Sequence, residues 1–225
     1  MSPYDAFLPC YPDSSFHFIN RALSQLLVIS PSALPRTNTE SFLVYYDIFV
    51  RNAFGSYRDI LTEVSYSPMM SEMLTYYESK SSEYMWKIEG TMQYADENYA
   101  RELMQLFTVG LVKLNQDGTP MLEKESPIPT YDNDDITEYT RVWTGFTRQG
   151  PRGNVEERDN TGNSVDPMKI RVEWRDQFPM LALDGKMLEI LTHFVMIFLL
   201  FFFSARGRSG NYLAKQSFRK TRIYY

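Results

Sequence analysis

The stretch from Asp96 to Leu111, Asp-Glu-Asn-Tyr-Ala-Arg-Glu-Leu-Met-Gln-Leu-Phe-Thr-Val-Gly-Leu, constrains this chain more than any other. Ala100, Leu103, Met104, Phe107 and Leu111 recur at three- and four-residue intervals, which places them on one face of an α-helix. Asp96 can cap the start, and Gly110 stands where a left-handed residue closes a helix. Such a stripe has to be buried against other elements. The chain supplies them: 44% of its residues are hydrophobic, and 16 Tyr, 15 Phe and 12 Met provide core material. That composition is globular, far from the polar, aromatic-poor signature of disorder. A length of 225 residues fits one domain, or one domain with an appendage.

The partners of the stripe are helical as well. Phe42, Tyr45, Tyr46, Phe49 and Ala53 form one apolar row from Glu40, with Thr39 at its start and Gly55 at its end. Ser56 opens a shorter helix carrying Ile60, Leu61 and Val64. Ser67-Pro68 writes a third start, a cap followed by proline at the first helical position, with Met70, Met73, Leu74 and Tyr77 as its stripe. Residues 78–92 are polar, with Trp86 as their expected anchor. Asn115 to Pro120 is a turn through Asp117-Gly118, and 121–130 is extended, restrained by Pro127 and Pro129. A last helix is expected over about 132–144, with Ile136, Tyr139 and Trp143 inward and Gly145 closing it. Residues 147–167 form a long loop, and 166–172 a short strand. Residues 1–38, with prolines at 3, 9, 12, 31 and 35, are expected to be irregular. Within them Leu23–Ile29 is an apolar run whose length does not separate helix from strand. The expectation is a mainly α, irregular helical domain with long loops and a small β element near 120–130 and 166–174. Its divisions are an irregular segment 1–38, a helical domain 39–179 and a dissimilar tail 180–225.

These residues resemble a family. Asn52-Ala53-Phe54-Gly55-Ser56-Tyr57-Arg58-Asp59, then Ser67-Pro68-Met69-Met70, is similar to one block of a bacterial and algal family known as domain of unknown function 1800. Glu97 to Leu111 resembles its most recognisable block. Asn115 to Pro120, Ile128-Pro129-Thr130-Tyr131 and Arg141-Val142-Trp143-Thr144-Gly145-Phe146 continue it in order, followed by Asp166 to Ile170 and Trp174 to Pro179. The resemblance spans about residues 40–179. It implies a mainly helical domain, often in exported or cell-surface proteins, and hands over no catalytic residues. Members usually carry an upstream motif of the Trp-His-Asn-His kind and continue well downstream. Here the only early histidine is His17, outside any such context, so truncation at both ends is expected.

Candidate chemistry centres on Glu97, Arg101 and Glu102. One reading makes Glu102 or Glu97 a general acid, base or ligand, with Arg101 orienting an anionic or sugar substrate. The other makes them a polar network fastening the helix, Glu97 and Arg101 being an i, i+4 pair worth about 0.2–0.5 kcal/mol. Asp132, Asp134, Asp135 and Glu138 do not form a calcium loop, because the glycine and the twelfth-position acid that such a loop needs are replaced by Thr137 and Trp143. Acids in a first helical turn instead complement the helix dipole. Cys10 is the sole cysteine, so neither an internal disulfide nor a cysteine-based zinc cluster is expected. His17 and His193 stand isolated, and no phosphate loop, dinucleotide fingerprint or His-Glu-x-x-His occurs. No cofactor and no metal are expected. Trp86, Trp143 and Trp174 can stack on sugars or fill a core.

Charge is uneven. Residues 194–225 hold six basic residues and no acidic ones; removing them from 23 basic leaves 17 against 28 acidic, a net of −11 for residues 1–193. An acidic body repels phosphate backbones, so nucleic acid is not an expected partner. A protein or polysaccharide partner is. Phe194 to Phe203 is a run of ten apolar residues, short of the roughly 17–20 that a membrane span needs. With basic residues after it, a segment at about 190–205 reads as a single-span anchor with a cytoplasmic C-terminus, or else as a translated pyrimidine-rich stretch. The preferred functional expectation is a non-catalytic exported or cell-surface binding module. The alternatives are a hydrolase-like enzyme using Glu102 or Glu97, and a small single-span membrane protein.

Overall fold

The computed structural model describes residues 14–31, 39–152, 163–181 and 187–188. The apolar run at 190–205, Cys10 and His193 lie outside them. The described architecture is mainly helical, with small two-stranded sheets.

Several helix starts are written by local capping bonds. α2 spans Thr39–Arg51 and α3 Tyr57–Ser65, where Ser56 accepts from the Arg58 amide. α4, Pro68–Met73, begins on Ser67, which accepts from the Met69 amide, with proline at the first position. α7, Asn133–Thr140, carries a full capping box: Asp132 accepts from the Asp134 and Asp135 amides, and the Asp135 carboxylate accepts from Asp132 N. A 3₁₀ turn, Arg141–Trp143, extends α7 to Gly145, which has φ 83°. Gly145 admits no side chain, since a Cβ there would lie 2.8 Å from the Arg171 carbonyl oxygen.

Four expectations are corrected. The segment 1–38 is not irregular throughout: α1 spans Ser14–Leu26 and packs on α2. Prolines at 12 and 31 flank this helix without interrupting it. The helix expected over 96–111 is α6, Asn98–Glu102, followed by a π turn, Leu103–Phe107. Ala100, Leu103, Met104 and Phe107 are buried as expected, but Leu111 is exposed because the chain turns away at Gly110, φ 75°. The third correction concerns Trp86. Residues 82–89 form α5, Ser82–Tyr84, and a second π turn, Met85–Glu89. Met85 is the buried anchor there, and Trp86 is 62% exposed. Lastly, Tyr76 rather than Tyr77 is the fully buried residue after α4.

The core is aromatic. Tyr76 stacks on Tyr99 at 4.2 Å, Tyr99 meets Trp143 edge-on at 4.5 Å, and Phe146 lies 5.8 Å from both Tyr76 and Trp143. The hydroxyls of three core tyrosines are satisfied: Tyr45 donates to Leu27 O, Tyr76 to Ser65 O, and Tyr99 shares a 2.7 Å bond with Ser65. Burial raises the pKa of all three phenols, so they stay neutral.

β structure falls near 120–130 and 166–174 as expected, and also at 146–147, 180–181 and 187–188, where none was expected. β1, Leu122–Glu123, pairs with β2, Ser126–Pro127, through Lys124 and Glu125, both at positive φ. Bridges Val112–Pro129 and Leu114–Pro120 extend this into an exposed arm. β3, Phe146–Thr147, pairs with β4, Lys169–Ile170, and β5, Met180–Leu181, with β6, Met187–Leu188. The segment after β4 is fastened by two arginines. Arg175, 4% exposed, donates to the Val142 and Thr144 carbonyls, and Arg141 grips both Asp176 oxygens at 3.0 Å. Among the described residues no helix is long and apolar enough to cross a membrane.

Candidate functional site

Between α4 and α6 the chain reverses twice and leaves a cleft of about 380 Å³. The first wall is the turn after α4. Tyr76 must enter the core while its neighbours stay outside, and the reversal is achieved with Thr75 at φ 61° and Glu78 at φ 56°. Neither is glycine, and a β-branched residue in the left-handed region is a genuine outlier. Long-range backbone bonds impose this shape: Glu78 N donates to Phe146 O, Gly145 N to Ser79 O, and Ser81 N to Trp174 O. The second wall is the π turn Met85–Glu89, closed by left-handed Gly90 at φ 68°, and the extended residues that follow it.

Thr75, Glu78, Ser79, Lys80, Met85, Glu89, Gln93, Tyr94 and Asp96 line the cleft. Asp96 is its hub. Its Oδ1 accepts from Thr75 Oγ1 at 2.8 Å and from the Asn98 amide at 2.8 Å. Glu78 Oε1 accepts from Thr147 at 3.3 Å. Lys80 forms an ion pair with Glu89, whose hydrogen bond raises the Lys80 pKa, and lies over the rings of Tyr84 and Trp174. Arg171 stacks on Trp174 at 4.1 Å. The segment that supplies the second wall also exposes apolar side chains: Trp86, Ile88, Met92 and Tyr94 are 62%, 68%, 66% and 69% exposed, and Tyr94 lines the cleft itself. Four large apolar side chains so open within nine residues make a continuous sequence patch, a mark of interaction surfaces.

The residues singled out from sequence lie elsewhere. Glu97 and Arg101 form the expected pair, at 2.9 Å and about half exposed. Glu102 is half-buried near Tyr131, whose pKa is raised by burial, with Arg101 lowering it and Glu102 raising it. The Tyr131 hydroxyl is buried without a hydrogen-bond partner. None of Glu97, Arg101 and Glu102 lines the cleft. Asp96 was legible only as a helix cap. Thr75, Glu78 and Tyr94 gave no signal, because nothing in Thr-Tyr-Tyr-Glu-Ser announces two left-handed residues.

A second cleft, about 470 Å³, lies between α2, α3 and residues 163–167. Its rim charges are paired with one another, Arg51 with Glu63 at 2.6 Å and Arg152 with Asp166. Among the described residues no three His, Cys, Asp or Glu side chains are grouped to hold a metal ion. What the first cleft offers is hydrogen-bond acceptors, hydroxyls and an aromatic edge.

No curated protein and no solved structure matches the chain. One family model matches residues 21–179, from within α1 to the Phe178-Pro179 segment held by Arg141. That match covers well over half of the sequence, and the chain belongs to the family described as protein of unknown function (DUF1800).

Proposed function

We propose that this chain is a non-catalytic binding module of an exported or cell-surface protein, and that it engages its partner through the cleft and the exposed apolar residues of the segment that walls it. One observation carries the reading: Trp86 and Tyr94 stand open beside a cleft whose wall includes two left-handed non-glycine residues. Strain of this kind, costing about 1–3 kcal/mol per residue, gathers at binding sites. Exposed aromatic residues supply large contact area at low entropic cost and dominate interface energetics. The cell-surface setting rests on the resemblance of the 97–111 and 141–146 blocks.

A hydrolase-like role for Glu102 is the second reading. Its support is the Tyr131 hydroxyl, buried without a partner under the influence of Arg101 and Glu102. One comparison separates the two. Cell-surface extract, split into protein and polysaccharide fractions, is passed over the immobilised full chain, its Trp86→Ala/Tyr94→Ala variant and its Glu102→Gln variant. The binding module predicts that capture is lost in the aromatic variant and kept in Glu102→Gln. Capture that survives loss of both aromatics would sink it.

A further inference from the structure

Resting on that reading, we infer that the cleft takes an uncharged saccharide, a segment of a neutral polysaccharide chain, rather than an apolar side chain of a protein or an acidic glycan. Size comes first. About 380 Å³ is near the lower end of small-molecule sites, roughly 300–1,000 Å³, and suits a sugar ring or two better than a helix or hairpin.

The lining decides the chemistry. A protein hot spot is a desolvated apolar pocket filled by an aromatic or aliphatic anchor. Here Met85 is the one buried apolar residue among the nine that line the cleft. The rest present hydroxyls (Thr75, Ser79), an amide (Gln93) and carboxylate oxygens (Glu78, Glu89, Asp96), with the open Tyr94 ring at the edge. Carboxylates accept hydrogen bonds from neighbouring hydroxyls, and an aromatic face covers the C–H face of a sugar. That combination reads a polyol.

Charge then separates neutral from acidic glycans. Lys80, the only cation among the lining residues, is already paired with Glu89. Glu78 and Asp96 take their hydrogen bonds from neutral donors, Thr147 on one side and Thr75 and the Asn98 amide on the other. The lining carries three carboxylates, Glu78, Glu89 and Asp96, against the one lysine, which interacts with Glu78 as well as Glu89, a net of −2. A uronate or sulfate entering there would meet an excess of like charge, a repulsion felt most at low salt.

Affinity electrophoresis of the full chain through gels holding single polysaccharides tests this. The neutral arm is a β-glucan, an α-glucan, a mannan and a xylan; the anionic arm is alginate and a sulfated galactan. The expected result is retardation by at least one neutral glycan and by neither anionic one at low salt. Tyr94→Ala should weaken that retardation by about tenfold with the thermal midpoint unchanged, and Gln93→Ala should weaken it in the same direction. Retardation by an anionic glycan as strong as by any neutral one overturns the inference, as does a mobility unaffected by all four neutral glycans. In either case, aromatic-dependent capture from cell-surface extract would leave the binding reading standing. Loss of that capture as well would remove both.

Discussion

The backbone at Glu78 supplies the sharpest prediction. Glu78 sits at φ 56°, where an L-residue pays roughly 1–2 kcal/mol relative to the right-handed region. Comparing Glu78→Ala with Glu78→Gly isolates that cost. Both variants lose the carboxylate and its 3.3 Å bond from Thr147, so side-chain effects cancel between them. Alanine keeps a Cβ in the left-handed region, and glycine does not. Glycine in turn has more freedom to lose on folding, about 0.5–1 kcal/mol. The net is glycine more stable than alanine by about 0.5–1 kcal/mol. At an ordinary position of negative φ the sign is the reverse. Urea unfolding of both variants, fitted with one common slope, measures the difference directly. The pair Thr75→Ala and Thr75→Gly repeats the test at φ 61°. Alanine equal to or more stable than glycine at both positions would refute strain in the cleft wall.

Four further outcomes follow from the packing. Gly145→Ala should destabilise the protein by about 2–4 kcal/mol in the same assay, because a Cβ would sit 2.8 Å from Arg171 O and 3.2 Å from Arg175 N, backbone atoms fixed by their own bonds. Arg141→Ala and Asp176→Ala should each cost about 2–3 kcal/mol, and the double variant less than their sum, since the pair is mostly buried with bidentate geometry. Met85→Ala should cost about 2–3 kcal/mol and Trp86→Ala less than about 0.5 kcal/mol, Met85 being 7% exposed and Trp86 62%. The last concerns acid. The Arg152 hydrogen bond holds the Asp166 carboxyl below its ordinary range, so the folded state favours the ionised form. That contribution is present above the unfolded pKa of about 3.9 and is lost as pH falls through the lower folded value. In acid titrations of stability, Arg152→Ala should therefore flatten the decline below about pH 4, modestly because the pair is partly exposed.

What the sequence makes legible here is whatever a local bond decides. Ser56, Ser67 and Asp132 cap helices because their side chains reach amides two or three residues on, so the signal and the structure occupy the same few positions. Gly118 and Gly145 mark turns for the same reason, and the helical spacing of Ala100, Leu103, Met104 and Phe107 identifies the buried face of α6 and its π turn. What stays hidden is set at a distance. The π turn Met85–Glu89 shifts the helical phase, so Met85 goes inward and Trp86 outward, although the sequence suggests the larger side chain as anchor. Tyr76 is fully buried while Tyr77 packs only partly against the core, in a turn beyond α4 that the bond from Glu78 N to Phe146 O holds. The cleft inherits this opacity: its walls meet only because 78–81 pairs with 145–146 and 174.

Strain is also what moves the functional reading from helix α6 to the turn before it. An exposed Glu97–Arg101 pair explains itself as a small helical stabilisation, and α6 could carry it with no further purpose. The turn does not explain itself. The fold needs Tyr76 inside and a reversal around it, which glycine at 75 and 78 would provide at lower cost. Instead the chain places there a hydroxyl that fixes Asp96 and a carboxylate that meets Thr147, both on the wall of one cleft. A fold that forgoes stability for side chains at two backbone outliers is spending it on what those side chains touch. The consequence is an opposition between stability and binding: replacing Glu78 or Thr75 by glycine should relieve the backbone while weakening saccharide retention, whereas Glu97→Gln should leave both nearly unchanged. Retention that rose together with stability would mean the turn serves the fold alone.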